Sequence, residues 1–267
     1  MKPSAIKISR VSKVFGGANA VRAIDDVDLT VEQGQFAAIV GPSGCGKSTL
    51  LNLVAGFEKP SSGTVEVSGK AVESAGPDRA VVFQEAALFP WLSVWENVVF
   101  GPKMKGSAKA EYARQAEEYI RLVGLENFRN HLPHQLSGGM RQRVGIARTL
   151  VMEPDLFLMD EPFGALDAQT RMDMQELLLS VWEKRKRTVL FITHDIDEAI
   201  LLADVVYVMT ARPGKFRSSI NVELPRPRSM DQLTQPHFVE LKKHILSQIR
   251  EEAARTKRQL EAAGAGA

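Results

Sequence analysis

Gly41-Pro42-Ser43-Gly44-Cys45-Gly46-Lys47-Ser48 satisfies every fixed position of the phosphate-loop (Walker A) pattern G-x-x-x-x-G-K-[ST]. Its flanks complete the context. The apolar run Phe36-Ala37-Ala38-Ile39-Val40 predicts a strand before it, and Thr49-Leu50-Leu51-Asn52-Leu53-Val54-Ala55-Gly56 predicts a helix after it. Strand, loop and helix in that order decide the fold class: an α/β chain around a P-loop core. The residue types follow from the chemistry. Triphosphate oxygens must be met by backbone N–H groups at short range, and Gly41, Gly44 and Gly46 remove the Cβ atoms in the way. Ser43 and Cys45 fill variable positions of the same loop. The helix beginning near Lys47 turns its positive end to the anion. Lys47 adds a point charge for the outer phosphates. The Ser48 hydroxyl suits Mg²⁺, a hard cation that prefers oxygen. A glycine-rich turn before an ordinary helix is the plain alternative, and the intact pattern with both flanks disfavours it.

The bulk numbers narrow the class. The chain has 267 residues, 44% hydrophobic, enough for one large domain or a domain with an inserted subdomain. A net charge of +2 argues against a nucleic-acid binder working by bulk charge. The charge is uneven: residues 211–267 hold eleven Lys/Arg against six Asp/Glu. A solvated helix face is the expected reading of that excess, ahead of an anionic surface. Cys45 is the only cysteine, so no intrachain disulfide forms and a reducing compartment fits. Met1-Lys2-Pro3-Ser4-Ala5-Ile6-Lys7 has no apolar signal core. No run reaches the ~18 apolar residues that a spanning helix needs; Ala199 to Met209 comes nearest and is broken by Asp204. A cytoplasmic protein is expected, with any membrane role exercised through a partner.

Periodicity organises the rest. Ile6-Lys7-Ile8-Ser9, Val27-Asp28-Leu29-Thr30-Val31 and Thr64-Val65-Glu66-Val67-Ser68-Gly69 alternate apolar with polar, the period of half-buried strands. An antiparallel sheet near the phosphate loop is predicted, with a turn at Gly16-Gly17. Helices are predicted over 107–123, with Ser107 as N-cap and Gly124 as stop, and over 141–151 and 169–182. Met172, Leu177 and Leu178 are expected on the apolar side of the last. Leu156-Phe157-Leu158-Met159 and Val189-Leu190-Phe191-Ile192 are continuous apolar runs that suit parallel strands covered on both faces. The α/β core therefore opens, a helical insert over about 87–150 follows, and the core resumes to residue 225. Pro225-Arg226-Pro227-Arg228 reads as a hinge into a helical tail over 226–267, with Ala262 to Ala267 frayed.

Asp160-Glu161-Pro162 ends the apolar run at Met159. In a P-loop fold that places Asp160 beside Mg²⁺, which it can hold through the water shell. Glu161, one residue on, can orient the attacking water or accept its proton. Solvated acids at a strand end are common; the phosphate loop is what favours the functional reading. His194 follows the next apolar run, at the sheet edge where ligands of such folds bind, and is a candidate γ-phosphate contact. Gln84, after Ala80-Val81-Val82-Phe83, has the same placement and an amide oxygen for Mg²⁺ or water.

Leu136-Ser137-Gly138-Gly139-Met140-Arg141-Gln142-Arg143 closely resembles the signature of ABC-transporter ATPase subunits. The order of the other pieces fits: phosphate loop, Gln84, signature, Asp160-Glu161, Gly164-Ala165-Leu166-Asp167, His194. The resemblance covers about residues 4–225 and implies a P-loop core, an antiparallel β subdomain, an inserted α-helical subdomain, and hydrolysis of ATP with Mg²⁺. Met140 stands where the family usually has Gln; Ser137, Gly138 and Gly139, the phosphate-facing positions, are intact. The resemblance also implies that Ser137–Gly139, at a helix start, meets the γ-phosphate held by a second copy of the chain, so that ATP joins two subunits and hydrolysis parts them. It further implies that Phe15 stacks on adenine, that Thr49 reaches the α-phosphate, and that Asp167 helps couple the two sites. Cys45, near a helix N-terminus, is expected to have a lowered pKa, and alkylating it to block ATP binding.

Ala86 to Gly101 carries Phe89, Trp91 and Trp95. By resemblance this stretch receives a short helix of a transmembrane permease; Trp95 is the first candidate for core packing. The signature variant, Phe89-Pro90-Trp91 and Ala211-Arg212-Pro213-Gly214 look most like the nitrate/sulfonate/taurine importer branch. A small anion is then the favoured solute, chosen by permease and a periplasmic or extracellular binding protein, with this chain peripheral on the cytoplasmic face. Two other classes remain as alternatives: a soluble ABC ATPase acting on nucleic acid or ribosomes, and a small-molecule P-loop kinase, which would lack Leu136–Gly139. An importer of another solute is a third. Lys184-Arg185-Lys186-Arg187 ends a helix, where cations suit the dipole, so no nucleic-acid patch is read there.

Overall fold

The computed structural model describes residues 4–17 and 20–264. Strands β1 (Ser4–Phe15), β2 (Val21–Glu32) and β3 (Phe36–Val40) lead into helix α1 (Lys47–Ala55). β4 (Ser62–Val67), β5 (Lys70–Ala71) and β6 (Arg79–Val82) precede three helices, α2 (Val94–Met104), α3 (Lys109–Leu122) and α4 (Gly138–Leu150). Then come β7 (Leu156–Asp160), α5 (Ala168–Arg185), β8 (Thr188–Ile192), α6 (Ile196–Leu202), β9 (Val205–Met209), β10 (Phe216–Asn221) and α7 (Pro236–Gly264). The chain divides into two compact units, one holding residues up to Gly76 and from Lys186 onward, the other Pro77–Arg185.

The first unit contains the antiparallel sheet β2-β1-β4-β5. Ile6, Ile8, Val11, Val27, Leu29 and Val31 are among its buried positions, the alternation expected of strands covered on one face. Beside it in the same unit run β10-β9-β3-β8. β3 lies parallel to both β8 and β9, and β10 closes antiparallel on β9. Every residue of β3 and β8 is buried, which is why those segments read as unbroken apolar runs. α1 buries Leu50, Leu51, Leu53 and Val54. α7 packs on α6 and buries Phe238 and Ile245.

The second unit holds β6 parallel to β7 and helices α2 to α5. α3 buries Tyr112, Ala116, Tyr119 and Ile120, a stripe of helical period. An apolar cavity lies between α4, β7 and α5, lined by Ile146, Leu150, Met159, Phe163 and Met174. The P-loop core, antiparallel β subdomain and helical insert expected from the sequence are present, and among the described residues no helix is long and apolar enough to cross a membrane.

Several local expectations are corrected. α3 is capped by Ala108, with no side-chain bond, rather than by Ser107. The helix expected over 141–151 begins at Gly138, because the Ser137 hydroxyl accepts the Met140 N–H at 3.2 Å and starts it three residues earlier. In α5 the buried side is Met174, Leu178, Leu179 and Trp182; Met172 is exposed and Leu177 half-buried. Trp95 is half-buried, covered by the Arg129 guanidinium 4.0 Å from its ring centre. Residues 225–228 are not a hinge: Arg226 donates to Asp204 and Leu202, and Arg228 to the last carbonyls of α6. Ala262 to Gly264 continue α7; residues 265–267 of the segment expected to fray lie outside the described residues.

Candidate functional site

In the first unit the phosphate loop joins β3 to α1. Gly46 is the N-cap of α1, with φ 101°. A Cβ there would stand 2.9 Å from the Ala23 carbonyl oxygen and 3.2 Å from Ile24 Cγ1, so only glycine both adopts this backbone and fits. Lys47 is 6% exposed. Its Nζ donates to the carbonyls of Gly41 (2.9 Å) and Pro42 (3.1 Å), which aims the ammonium into the loop. The first turn of α1 carries no acidic side chain and no side-chain cap, so its positive dipole end suits an anion. Ser43, Gly44 and Ser48 are on the exposed side and Thr49 is half-buried. This donor set, a glycine cradle, a buried lysine and an exposed hydroxyl one residue on, fits a triphosphate with a hydrated divalent cation.

Cys45 departs from its expectation. Its thiol is 1% exposed, and burial pushes its pKa up; the Lys47 charge opposes this without overcoming it. A helix N-terminus lowers a thiol pKa only where the thiolate stays solvated.

Two more sequence-predicted residues belong to this unit. Phe15 ends β1 with 39% of its surface exposed and Lys13 Nζ 4.8 Å from its ring centre. Lys13 is itself held by Glu58 Oε2 and the Lys59 carbonyl, each at 2.8 Å. The result is a half-open aromatic plate with a fixed cation beside it. His194 is exposed and follows β8. The Thr193 N–H donates to the Ile39 carbonyl at 3.2 Å, which ties the turn bearing His194 to the strand that feeds the loop.

The second unit places the acids. Asp160 is the last residue of β7, and Asp160 and Glu161 are both half-buried. Glu161 has φ 45°, a left-handed backbone rare for a side chain with a Cβ. The following turn holds it there: the Gly164 N–H donates to the Glu161 carbonyl and the Leu166 N–H to that of Phe163, both at 3.1 Å, while Phe163 and Leu166 are buried. Asp167 caps α5, its Oδ1 accepting the Thr170 N–H at 3.1 Å, and the Thr170 N–H and hydroxyl lower its pKa. Ser137 and Gly138 are exposed, over the buried Leu136. The Ser137 hydroxyl thus serves one of the N–H groups that the sequence reading left open. Gln84 is exposed, just beyond β6. Its flanks are fixed from α4: Gln142 donates to the Phe83 carbonyl at 2.9 Å, and Arg148 to those of Ala86 and Ala87 at 3.1 Å each.

The aromatic segment 86–101 is built around a residue the sequence reading passed over. Asn97 is buried; its Nδ2 donates to the carbonyls of Phe89 (3.2 Å), Leu92 (2.9 Å) and Ser93 (3.0 Å), and its Oδ1 accepts the Phe89 N–H at 2.9 Å. An amide inside the apolar pattern Val94-Trp95-Glu96-Asn97-Val98-Val99 was the available signal, since a buried polar group needs partners. Phe89 packs on Phe100 at 4.4 Å between ring centres, and Trp91 projects with 72% of its surface exposed.

Comparison with known proteins agrees with this chemistry. The family model described as "ABC transporter" matches residues 24–164. The taurine import ATP-binding protein of Pelagibacter ubique is 45% identical over 86% of this chain and 88% of its own. The nitrate import ATP-binding protein of a Synechocystis species is 42% identical, covering 92% and 95%. Among solved structures, a dimeric ATP-binding cassette in a post-hydrolysis state, bound to ADP and Pi, superposes with a TM-score of 0.75 at 32% identity. That match covers 82% of this chain and the whole of the other.

Proposed function

This chain belongs to the ABC transporter family and is an ATPase; we propose that it is the subunit that powers import of a small anion through a separate membrane permease. The observation that carries the nucleotide-binding reading is the buried Lys47 ammonium turned into a loop at whose Gly46 no other residue fits. The taurine and nitrate import relatives support the anion, of the nitrate/sulfonate/taurine class.

The roles follow from the side chains. Backbone N–H groups of residues 41–46 and Lys47 bind the phosphates, Thr49 adds a hydroxyl, and Phe15 covers adenine with its open face. Ser48, Gln84 and Asp160 would be the oxygen donors for Mg²⁺, directly or through water, and the ion would supply screening of the phosphate charge. Glu161 orients the water and takes its proton, and its left-handed backbone is the kind of strain that functional sites retain. His194 contacts the γ-phosphate. Ser137, Gly138 and Gly139 meet the γ-phosphate bound by a second copy, so that ATP closes a dimer; the dimeric cassette lends this support. Trp91 and Phe89 receive the permease, which the binding protein reaches on its other side, and the chain works on the cytoplasmic face of the membrane.

Uptake tests this directly. A deletion strain should lose uptake of taurine, another sulfonate or nitrate, recover it with the wild-type gene, and fail to recover it with Lys47→Ala. Unchanged uptake of all three refutes the solute class. For the shared site, Glu161→Gln should lower ATP turnover by about 10²–10⁴ and run as a dimer in Mg-ATP; a mutant that binds ATP yet stays monomeric refutes it.

A further inference from the structure

His194 is exposed, but its flanks are locked. Thr193 is 2% and Glu198 5% exposed, and the Thr193 hydroxyl donates to Glu198 Oε2 at 2.6 Å. The Thr193 hydroxyl oxygen also accepts the Asp195 N–H at 3.0 Å. Asp195 in turn accepts the N–H groups of Asp197 (2.8 Å) and Glu198 (3.2 Å), which starts α6. On the other side, the Thr193 N–H is taken by Ile39, two residues before Gly41. One buried hydroxyl therefore bridges the residue after His194 and a carboxylate one helical turn further on.

Burying a carboxylate is costly, and an apolar pair of the same volume would serve stability as well or better. What an apolar pair would not do is specify one backbone geometry, because only the directed bonds fix where the Asp195 N–H points. The bonds fix the residues on either side of His194.

We propose that Thr193 and Glu198 are positioning residues for ATP hydrolysis: their buried hydroxyl–carboxylate bond holds the turn that aims His194 at the terminal phosphate. This rests on the γ-phosphate role given to His194 above. The pair touches no substrate, so its loss acts on turnover and leaves nucleotide affinity alone.

The test uses the full-length chain, measuring kcat and KM for Mg-ATP together with the Kd of ATP. Thr193→Val, which removes the hydroxyl and keeps the shape, should lower kcat by roughly 10- to 100-fold, the scale of a small misplacement, with KM and Kd within about twofold. Thr193→Ser should restore turnover. In a His194→Ala background, Thr193→Val should lower kcat no further, since both act through one imidazole. Wild-type kcat in Thr193→Val while His194→Ala is slow overturns the inference and leaves the role of His194 standing. An equal kcat loss with and without His194 also overturns it, because it marks a general structural effect. Wild-type turnover in His194→Ala removes the role of His194 and the inference with it. Should Thr193→Val fail to fold, Glu198→Gln keeps volume and an acceptor while replacing the carboxyl; reduced kcat at unchanged Kd supports the inference, and unchanged kcat overturns it.

Discussion

Removing the Arg228 side chain asks whether the chain beyond β10 is fastened or merely linked. The guanidinium is 6% exposed. Its Nη1 donates to the carbonyls of Ile200 (3.0 Å), Leu201 (3.1 Å) and Ala203 (2.6 Å), and its Nη2 to that of Val222 (3.2 Å). The carbonyls at the end of α6 have no intrahelical partner, so Arg228 serves as its C-terminal cap and its charge opposes the negative dipole end. Each hydrogen bond to a charged group contributes about 1.5–3 kcal/mol. Four of them would overstate the loss, since water enters the space an alanine leaves and the cost of burying the charge disappears. Leaving buried acceptors unpaired costs about 1–3 kcal/mol each, and with water reaching some of them Arg228→Ala should lose about 3 kcal/mol. With a urea m-value of about 3 kcal/mol/M for a chain of this size, the midpoint moves down by roughly 1 M. The three tryptophans, Trp91, Trp95 and Trp182, all belong to the other unit, so circular dichroism and hydrogen exchange of α6 are the proper readouts. Arg228→Lys should recover little, because a single ammonium does not reach four carbonyls. A loss below about 1 kcal/mol, the scale of an exposed ion pair, would refute the capping argument and return residues 225–228 to a hinge.

Other perturbations separate neighbouring explanations. Gly46→Ala forces a Cβ against the Ala23 carbonyl at positive φ and should remove about 1–3 kcal/mol of stability and most nucleotide affinity. Gly44→Ala, whose Cβ would meet nothing nearer than 3.9 Å, should lose only about 1 kcal/mol; equal losses in thermal melts would show that sterics are not the cause. Iodoacetamide should label Cys45 slowly in the folded protein at pH 7.5 and rapidly in urea, read by mass spectrometry; prompt native labelling contradicts its burial. Because burial raises the Cys45 pKa, its contribution to stability is complete below the ordinary thiol value and declines as pH rises through the folded one; a Cys45→Ser chain should lack that alkaline decline. Asn97→Ala should cost about 1–3 kcal/mol and speed hydrogen exchange over residues 89–93, with ATP turnover of the isolated chain unchanged.

What the sequence made legible was what fixed spacing or local period encodes. The phosphate loop needs glycine at Gly46 for both its backbone and its space, so pattern and geometry coincide. β3 and β8 read as unbroken apolar runs because both faces are covered. The misses have non-local or conformational causes. Trp95 looked like core, yet its cover is a cation from 34 positions along the chain. Met172 shares the helical region but not the phase of the buried side of α5. Nothing in the letters Asp160-Glu161-Pro162 announces a left-handed Glu161; the turn through Phe163 and Leu166 imposes it. Cys45 shows the opposite failure, a correct local rule about helix N-termini outweighed by burial that only the folded chain reveals.

α6 is a short helix held at both ends. It has seven residues, far too few to be helical alone, and it immediately follows His194. Its N-terminus is capped by Asp195, and its last carbonyls are taken by Arg226 and Arg228. Its Asp197 accepts from Lys242 of α7 at 2.7 Å, an exposed pair that adds little by itself. The buried Phe238 and Ile245 do more, since full burial of such side chains contributes about 1.5–3 kcal/mol each. The segment after β10 thus builds a support for one short helix from three sides. Its basic excess is then explained in part by two arginines spent on backbone carbonyls inside the fold. The same residues that looked like a linker keep the helix next to His194 from fraying.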